Sequence, residues 1–399
     1  MEKSIHIAII GAGITGLSTA NALLSNVKRR QRVTVLEQST VDHERGTSHG
    51  FSRLLRFEYG SDLFYTNMVR LSLIRWRQLE RATGRELYTR SGVVTLGMKH
   101  DRSTVPSYRL MRSLGLPVEQ LQADKFHRRF PQFATSAFDT FIYNAEGGIL
   151  HASSCLQALR DRVRDLGGEI RENSRIICLE HDRMNRPVQL RLASGEVLEA
   201  DRVIVAAGPW VHHLLADMRL PMRVTRPYLL YFAGLSPSLF AAGRFPAFLA
   251  DTLYGFPIHR GCNGWVKVAS HDPGATISPN DTTPPDQTVL TRIRHQLYEL
   301  LPELRAAQVA RVDACMYDMS PDGDFILDRL FDDPRVVVAT GLSGHGFKFG
   351  LLLGEVLSSM VCETEPVIPI ERFGLNRFAV TPQWVQSATF SAPLSGVSR

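Results

Sequence analysis

The 399-residue chain is short of every feature that would place it outside an ordinary globular protein. It has five cysteines, an odd number with no C-x-x-C pair, which argues against a disulfide framework or a zinc site and for a reducing compartment. No apolar run approaches the ~18 residues that a membrane span needs. The N-terminus lacks a signal-peptide apolar core with a small-residue cleavage site, because Gly11 onward interrupts it with a different pattern. The last residues, Gly396-Val397-Ser398-Arg399, are neither an endoplasmic-reticulum nor a peroxisomal address. Like charges are not blocked together: the excess of 46 Lys and Arg over 40 Asp and Glu is spread thinly, and its densest run, Lys28-Arg29-Arg30-Gln31-Arg32, lies between two apolar segments and reads as a solvated turn. Internal repeats and low-complexity segments are missing too. What remains is a chain of 44% hydrophobic and 22% charged residues, long enough for two domains or one elaborated domain. The expectation is a cytoplasmic protein with no nucleic-acid or membrane partner.

The N-terminus carries the first positive signal. Ile5 to Ile10 is a short apolar run of the kind buried on both faces of a sheet. Gly11-Ala12-Gly13-Ile14-Thr15-Gly16 follows, then helix formers from Leu17 to Leu24, then a second strand from Arg32 to Glu37. This is a βαβ unit in which the first glycine permits a tight turn, the second lets a pyrophosphate approach the backbone, and the third packs helix on strand. Glu37 at the end of the second strand can accept hydrogen bonds from ribose hydroxyls. The motif alone does not separate FAD from NAD. Val203 to Gly208 and Val336 to Gly341 both end in Ala-x-Gly, and strands that return to one dinucleotide after a long insertion are more characteristic of FAD folds.

Between these strands the spacing predicts helices over 61–83, 153–166 and 286–301, the last stopped by Pro302, and a long one over 350–361. Strands are expected at 92–97, 228–232 and 265–269, while about 100–146 is left as an unassigned stretch rich in Pro, Arg and Phe. The fold class is α/β (α+β overall): a Rossmann-like FAD-binding domain from residues 1–90, 147–220 and 311–385, an inserted, mainly antiparallel β-sheet substrate domain from 91–146 and 221–310, and a tail at 386–399.

Several further motifs carry a resemblance. Asp313-Ala314-Cys315-Met316-Tyr317, Ser320-Pro321-Asp322 and Gly344-His345-Gly346-Phe347-Lys348-Phe349 stand in the last third of the chain. Ser48-His49-Gly50 with Arg53 and Arg56, then Tyr59-Gly60, form an early loop, and Tyr254-Gly255-Phe256-Pro257, Trp265-Val266-Lys267 and His271 lie in the middle. Together they resemble the monomeric sarcosine oxidase family, with its sarcosine, N-methyltryptophan and pipecolate oxidases, within the D-amino acid oxidase-like FAD superfamily. The resemblance runs from about residue 5 to residue 378.

That resemblance implies an FAD-dependent oxidase of a secondary α-amino acid, N-alkyl or cyclic. A hydride equivalent would pass to flavin N5 and leave an imine, and O2 would reoxidise the flavin to give H2O2. Cofactor contacts would come from Gly11, Gly13, Ile14, Thr15, Gly16, Glu37, Gln38, Ser48, His49, Arg53, Ile176, Ala207, Gly208 and Trp210. They would also come from Cys315, Gly344, His345, Gly346, Phe347 and Lys348. Cys315 would attach the flavin through a thioether at its 8α carbon, although a lone cysteine is usually just a small buried hydrophobe. Arg56 and Lys348 would clamp the substrate carboxylate, a planar fork beside a point charge, unless Arg56 simply pairs with an acid such as Glu58. Tyr59, Tyr254 and Tyr317 would line the substrate pocket. Lys267, with Arg53 and His271, would serve catalysis, the lysine promoting oxygen reduction. The resemblance further implies a monomer and no metal. After Tyr59-Gly60 the chain has Ser61-Asp62, a departure that puts sarcosine itself in doubt and looks closer to pipecolate oxidases. The alternatives are a tailoring or Amadori/opine-type oxidase with a bulkier substrate, and a flavin dehydrogenase that passes electrons to a carrier.

Overall fold

The computed structural model describes residues 4–26, 31–181 and 186–378. The basic residues 28–30, the 386–399 tail and the last few residues of the segment ending at 385 lie outside the described residues. Among the described residues no helix is long and apolar enough to cross a membrane, and no group of three or more His, Cys, Asp or Glu could hold a metal ion.

The apolar N-terminal run, Ile5–Ile10, sits inside a six-stranded sheet. The order across it is Ile326–Arg329, Val336–Thr340, Arg202–Val205, Ile5–Ile10, Gln31–Leu36 and Glu169–Arg171. All neighbours run parallel except Ile326–Arg329, which is antiparallel to Val336–Thr340. The strands are apolar throughout because both faces are covered. Helices Ile14–Ser25, Leu63–Thr83, Ala152–Asp165 and Gly350–Val361 form the layer on one face. A three-stranded antiparallel sheet, Ile176–Glu180, Val188–Leu192 and Val197–Ala200, covers the other. The strands at 202–205 and 336–340, distant in sequence, therefore end beside the glycine loop.

A second sheet has eight strands, in the order Gln308–Ala314, Tyr228–Ala233, Val266–Ser270, Leu253–Phe256, Ala247–Ala250, Val93–Gly97, Thr140–Asn144 and Val118–Leu121. Its pairings are antiparallel apart from Ala247–Ala250 with Val93–Gly97. One face packs on Phe126, Phe133, Phe141, Phe245 and Phe248 and on helix Gln287–Leu300. Each such phenylalanine contributes about 1.5–3 kcal/mol of burial. The other face presents Tyr231, Tyr254 and Phe256, with Lys267 paired opposite Tyr231, toward the first layer. Strand Gln308–Ala314 is an edge of this sheet, so the sheet extends past residue 310 and delivers Cys315 to its rim.

The stretch 100–146 is structured: helices Thr104–Ser113 and Ala123–Arg129 flank Val118–Leu121, and Thr140–Asn144 follows. These short elements carry one buried face each, too few residues for a periodic signal. Asp62, part of the departure after Tyr59, is the N-cap of helix Leu63–Thr83. Its side chain accepts from the Tyr65 amide at 3.0 Å and pairs with Arg372 at 2.7 Å.

Candidate active site

The glycine loop fits a dinucleotide. Gly11 has φ +104, and a Cβ there would lie 2.4 Å from the Ala206 carbonyl oxygen, so only glycine permits both the turn and the approach of the neighbouring strand. A Cβ on Gly16 would lie 1.9 Å from the Gly11 carbonyl oxygen, which makes this glycine the contact between helix and loop. Gly13 caps helix Ile14–Ser25 without a side-chain cap, and the first turn has no acid. The Ile14 amide donates to the Ser48 hydroxyl at 3.0 Å, and no acid in the first turn opposes an anion at the positive end of the helix. Glu37 is buried at the end of its strand, where one oxygen accepts from the Ala12 amide at 2.8 Å and the other from the Ser39 amide at 3.0 Å. Each oxygen keeps a second lone pair for a ribose hydroxyl.

A cleft of about 410 Å³ starts at this loop and runs between the two sheets. Its volume falls in the range of small-molecule and cofactor sites. Every site residue expected from the sequence lines it except Gly16 and Tyr59, which lie behind it. At the Glu37 end, His43 lies 3.5 Å from Glu37 and its ring is 6.3 Å from that of Trp210, so Trp210 closes the same end. His49 is hydrogen-bonded through Nδ1 to Asp42 at 2.9 Å, which raises its pKa and favours the imidazolium.

On the second-sheet side, Lys267 is fully buried. Its Nζ donates to the Ser52 carbonyl at 2.8 Å and stands 5.1 Å from the Phe256 ring. Burial, and secondarily Arg53, brings its pKa down to about 7. Arg53 donates to the carbonyls of Thr47 at 2.8 Å, His49 at 2.6 Å and Ser52 at 2.9 Å, and its guanidinium lies over Phe347 at 5.5 Å. Both cations are held by main-chain oxygens, and among the described residues neither forms an ion pair with a carboxylate. Cys315 follows the edge strand, half-buried on the cleft wall, with its amide donating to the Pro227 carbonyl at 2.9 Å.

Arg56 and Lys348 meet over one ring. The Arg56 guanidinium is 4.4 Å and the Lys348 Nζ 5.3 Å from the centre of Tyr59. Both are buried, Lys348 donating to the His345 carbonyl at 2.9 Å. Burial, then Arg56, holds the Lys348 pKa well below the usual lysine range. Among the described residues no carboxylate pairs with either cation; Glu58 is close but bonded elsewhere. His345 fixes the platform: its Nδ1 lies 3.1 Å from the Tyr59 hydroxyl and its Nε2 3.1 Å from the Gly323 carbonyl. The Nε2 therefore carries the proton, and Tyr59 donates to Nδ1.

Across the cleft, His271 stacks on Tyr254 with ring centres 4.2 Å apart, and the Tyr254 and Tyr317 hydroxyls are 3.4 Å apart. Burial, then Arg56 and Lys348, pushes the His271 pKa well below its usual value, so the ring is neutral. Its Nε2 is buried and has no hydrogen-bond partner among the described residues. A site with two unpaired buried cations and an unpaired neutral acceptor or donor is built for a small polar anion.

Sequence reasoning missed Ser52, whose contribution is a carbonyl and leaves no side-chain signal. It also missed Asp42 and Asp318. Asp318 lines the cleft, accepts from the Leu342 amide at 3.2 Å, and is pushed up to about 6 by burial. The Asp318 carboxylate thus pins the turn before Gly344.

Residues 6–360 match the family of FAD dependent oxidoreductases. The chain is 30% identical over 385 residues to peroxisomal sarcosine oxidase of Homo sapiens, covering 93% of this chain and 95% of that protein. It is also 30% identical over 382 residues to N-methyl-L-tryptophan oxidase of Yersinia pestis, covering 93% and 98%. Among solved structures, L-proline dehydrogenase from P. horikoshii superposes with a TM-score of 0.82 at 17% identity, covering 95% of this chain and 99% of that one.

Proposed function

The chain belongs to the family of FAD-dependent oxidoreductases, alongside the sarcosine and N-methyltryptophan oxidases, and from that premise we propose that it oxidises the carbon–nitrogen bond of a secondary α-amino acid. The observation that carries this reading is the pair Arg56 and Lys348 over Tyr59, two buried cations without a carboxylate partner. An α-carboxylate supplies the missing charge, the arginine gripping it as a fork and the lysine as a point charge. With the carboxylate fixed there, the amine falls toward Tyr254, Tyr317 and His271. The neutral imidazole and two phenols, all pushed toward their uncharged forms by burial, favour an uncharged amine over an ammonium. An uncharged amine is the form that gives up electrons.

When bound, FAD supplies the two-electron acceptor for this oxidation. The N-terminal end of helix Ile14–Ser25 would hold its pyrophosphate, Glu37 its ribose, and the turn Gly344 to Lys348 the flavin end. Arg53 and Lys267 have a different role from the carboxylate clamp: they keep positive charge ready for dioxygen as it is reduced to H2O2. In this reading residues 1–90, 147–220 and the chain from Cys315 onward form the cofactor unit and 91–146 and 221–314 the substrate unit, because strand Gln308–Ala314 pairs within the second sheet. The enzyme acts as a monomer, and five free cysteines support a reducing, cytoplasmic setting.

Two measurements test the proposal. Peroxide release is assayed across sarcosine, pipecolate, proline, N-methyltryptophan and a fructosyl amino acid. Turnover with at least one of the first four is expected, and no turnover with any of them refutes it. The attachment at Cys315 is tested by acid precipitation: the yellow colour should stay with the pellet and move to the supernatant in Cys315→Ser. Colour in the supernatant of the unsubstituted protein rules the linkage out.

A further inference from the structure

Among the described residues Glu58 is the acid that acts on both cations of the clamp, and the way it is held is unusual. It is 6% exposed, it does not line the cleft, and it lies two residues after Arg56. One carboxylate oxygen accepts from the Phe57 amide at 2.8 Å, and the other from the Asn144 side-chain amide at 3.1 Å. Asn144 is fully buried, ends a strand of the eight-stranded sheet, and is itself oriented by the Glu146 amide, which donates to its Oδ1 at 3.0 Å. These bonds turn the carboxylate away from the guanidinium, so that no ion pair forms between Glu58 and either cation among the described residues. The charges still interact. Burial pushes the Glu58 carboxyl up while Arg56 opposes that rise, and Glu58 in turn acts to raise the depressed pKa of Lys348.

We propose that Glu58 is a held-back counter-ion of the carboxylate clamp: near enough to offset the burial of Arg56 and Lys348 in the free enzyme, yet tied to Phe57 and Asn144 so that the guanidinium fork stays open for substrate. Two buried cations with no anion nearby would cost several kcal/mol each in desolvation. An acid in direct contact would remove that cost but occupy the fork. Holding the acid at a distance does the first without the second. The residue thus acts through Arg56 and Lys348 as a positioning residue for carboxylate recognition. This inference rests on the clamp reading above.

The test measures two dissociation constants on the FAD-loaded enzyme by perturbation of the flavin spectrum. The ligands are methoxyacetate, in which an ether oxygen replaces the amine of the smallest N-methyl amino acid, and methoxyacetamide, its neutral counterpart. The ratio of the two constants isolates charge recognition from general packing damage. Glu58→Gln and Glu58→Met are both made, because the glutamine NH2 must face either the Phe57 N–H or the Asn144 amide, whereas methionine presents no donor. At the acid end of the enzyme's pH range, where Lys348 stays protonated without its neighbour, removing the anion should raise the carboxylate-over-amide preference about tenfold in both variants. Arg56→Met should collapse that preference. A preference within about twofold of the original in both Glu58 variants, or lower, overturns the counter-ion role while the Arg56→Met result keeps the clamp standing. A preference that also survives Arg56→Met overturns both.

Discussion

Lys267→Met is expected to slow reoxidation of the reduced enzyme by air about 10²–10³-fold, while substrate reduces the flavin anaerobically at a rate within about threefold of the original. The reason is that Lys267 is a buried charge whose Nζ donates to a main-chain carbonyl and, among the described residues, forms no ion pair with a carboxylate. A cation in a dry wall stabilises negative charge arriving on dioxygen far more than one in water does. Reduction by substrate has no such requirement. Stopped-flow absorbance measures both halves separately. Methionine keeps the length and apolar stem of lysine, so contact with the Phe256 ring is retained. Equal loss in both halves would show that the lysine is structural. The unsubstituted enzyme should also reoxidise more slowly as pH rises. Burial brings the lysine's pKa down to about 7, so its charged form is the one lost above that value. An anion bound nearby moves the midpoint upward without changing the sign.

Arg56→Met should lower kcat/KM for carboxylate-bearing amines by about 10²–10³, chiefly through KM. The guanidinium is buried, stacked at 4.4 Å on Tyr59, and is the planar fork of the clamp. Its loss leaves Lys348 as a single point charge already depressed by burial. Arg56→Lys should recover only part of the affinity, since an ammonium cannot make the two parallel bonds of the fork. Steady-state kinetics with substrate and with its carboxamide separates the two causes of loss. A carboxamide should be indifferent to the substitution, and equal loss for acid and amide would point to damage at Tyr59.

The sequence made the nucleotide end of the site legible because that end depends on backbone geometry. Gly11 and Gly16 have to be glycine on steric grounds alone, and a strand, a turn and a helix must surround them. The buried strands at 202–205 and 336–340 were visible as apolar runs, and the helices over 63–83 and 287–300 as helical spacing, the second stopped by Pro302. The substrate end was legible only through resemblance. Nothing in the spacing of Arg56, Tyr59 and Lys348 says that an early loop and a late turn converge on one ring, or that His271, just past a strand of the second sheet, comes within their electrostatic reach. The convergence is a product of two sheets facing each other across a cleft. Ser52 was invisible because a carbonyl is present at every residue. Glu58 was read as a possible partner of Arg56, whereas the fold turns it toward Phe57 and Asn144. The departure at Ser61-Asp62 proved to be a helix cap paired with Arg372, away from the cleft.

The central claim is that a carboxylate-bearing secondary amine reduces the bound flavin. It is tested most directly by mixing the purified yellow enzyme, without oxygen, with sarcosine, proline, pipecolate and N-methyltryptophan in turn, and following the flavin absorbance. At least one should bleach the flavin completely, its carboxamide should do so only at a much higher concentration, and admitting air should restore the colour with release of H2O2. A flavin that stays oxidised with all four would contradict the claim.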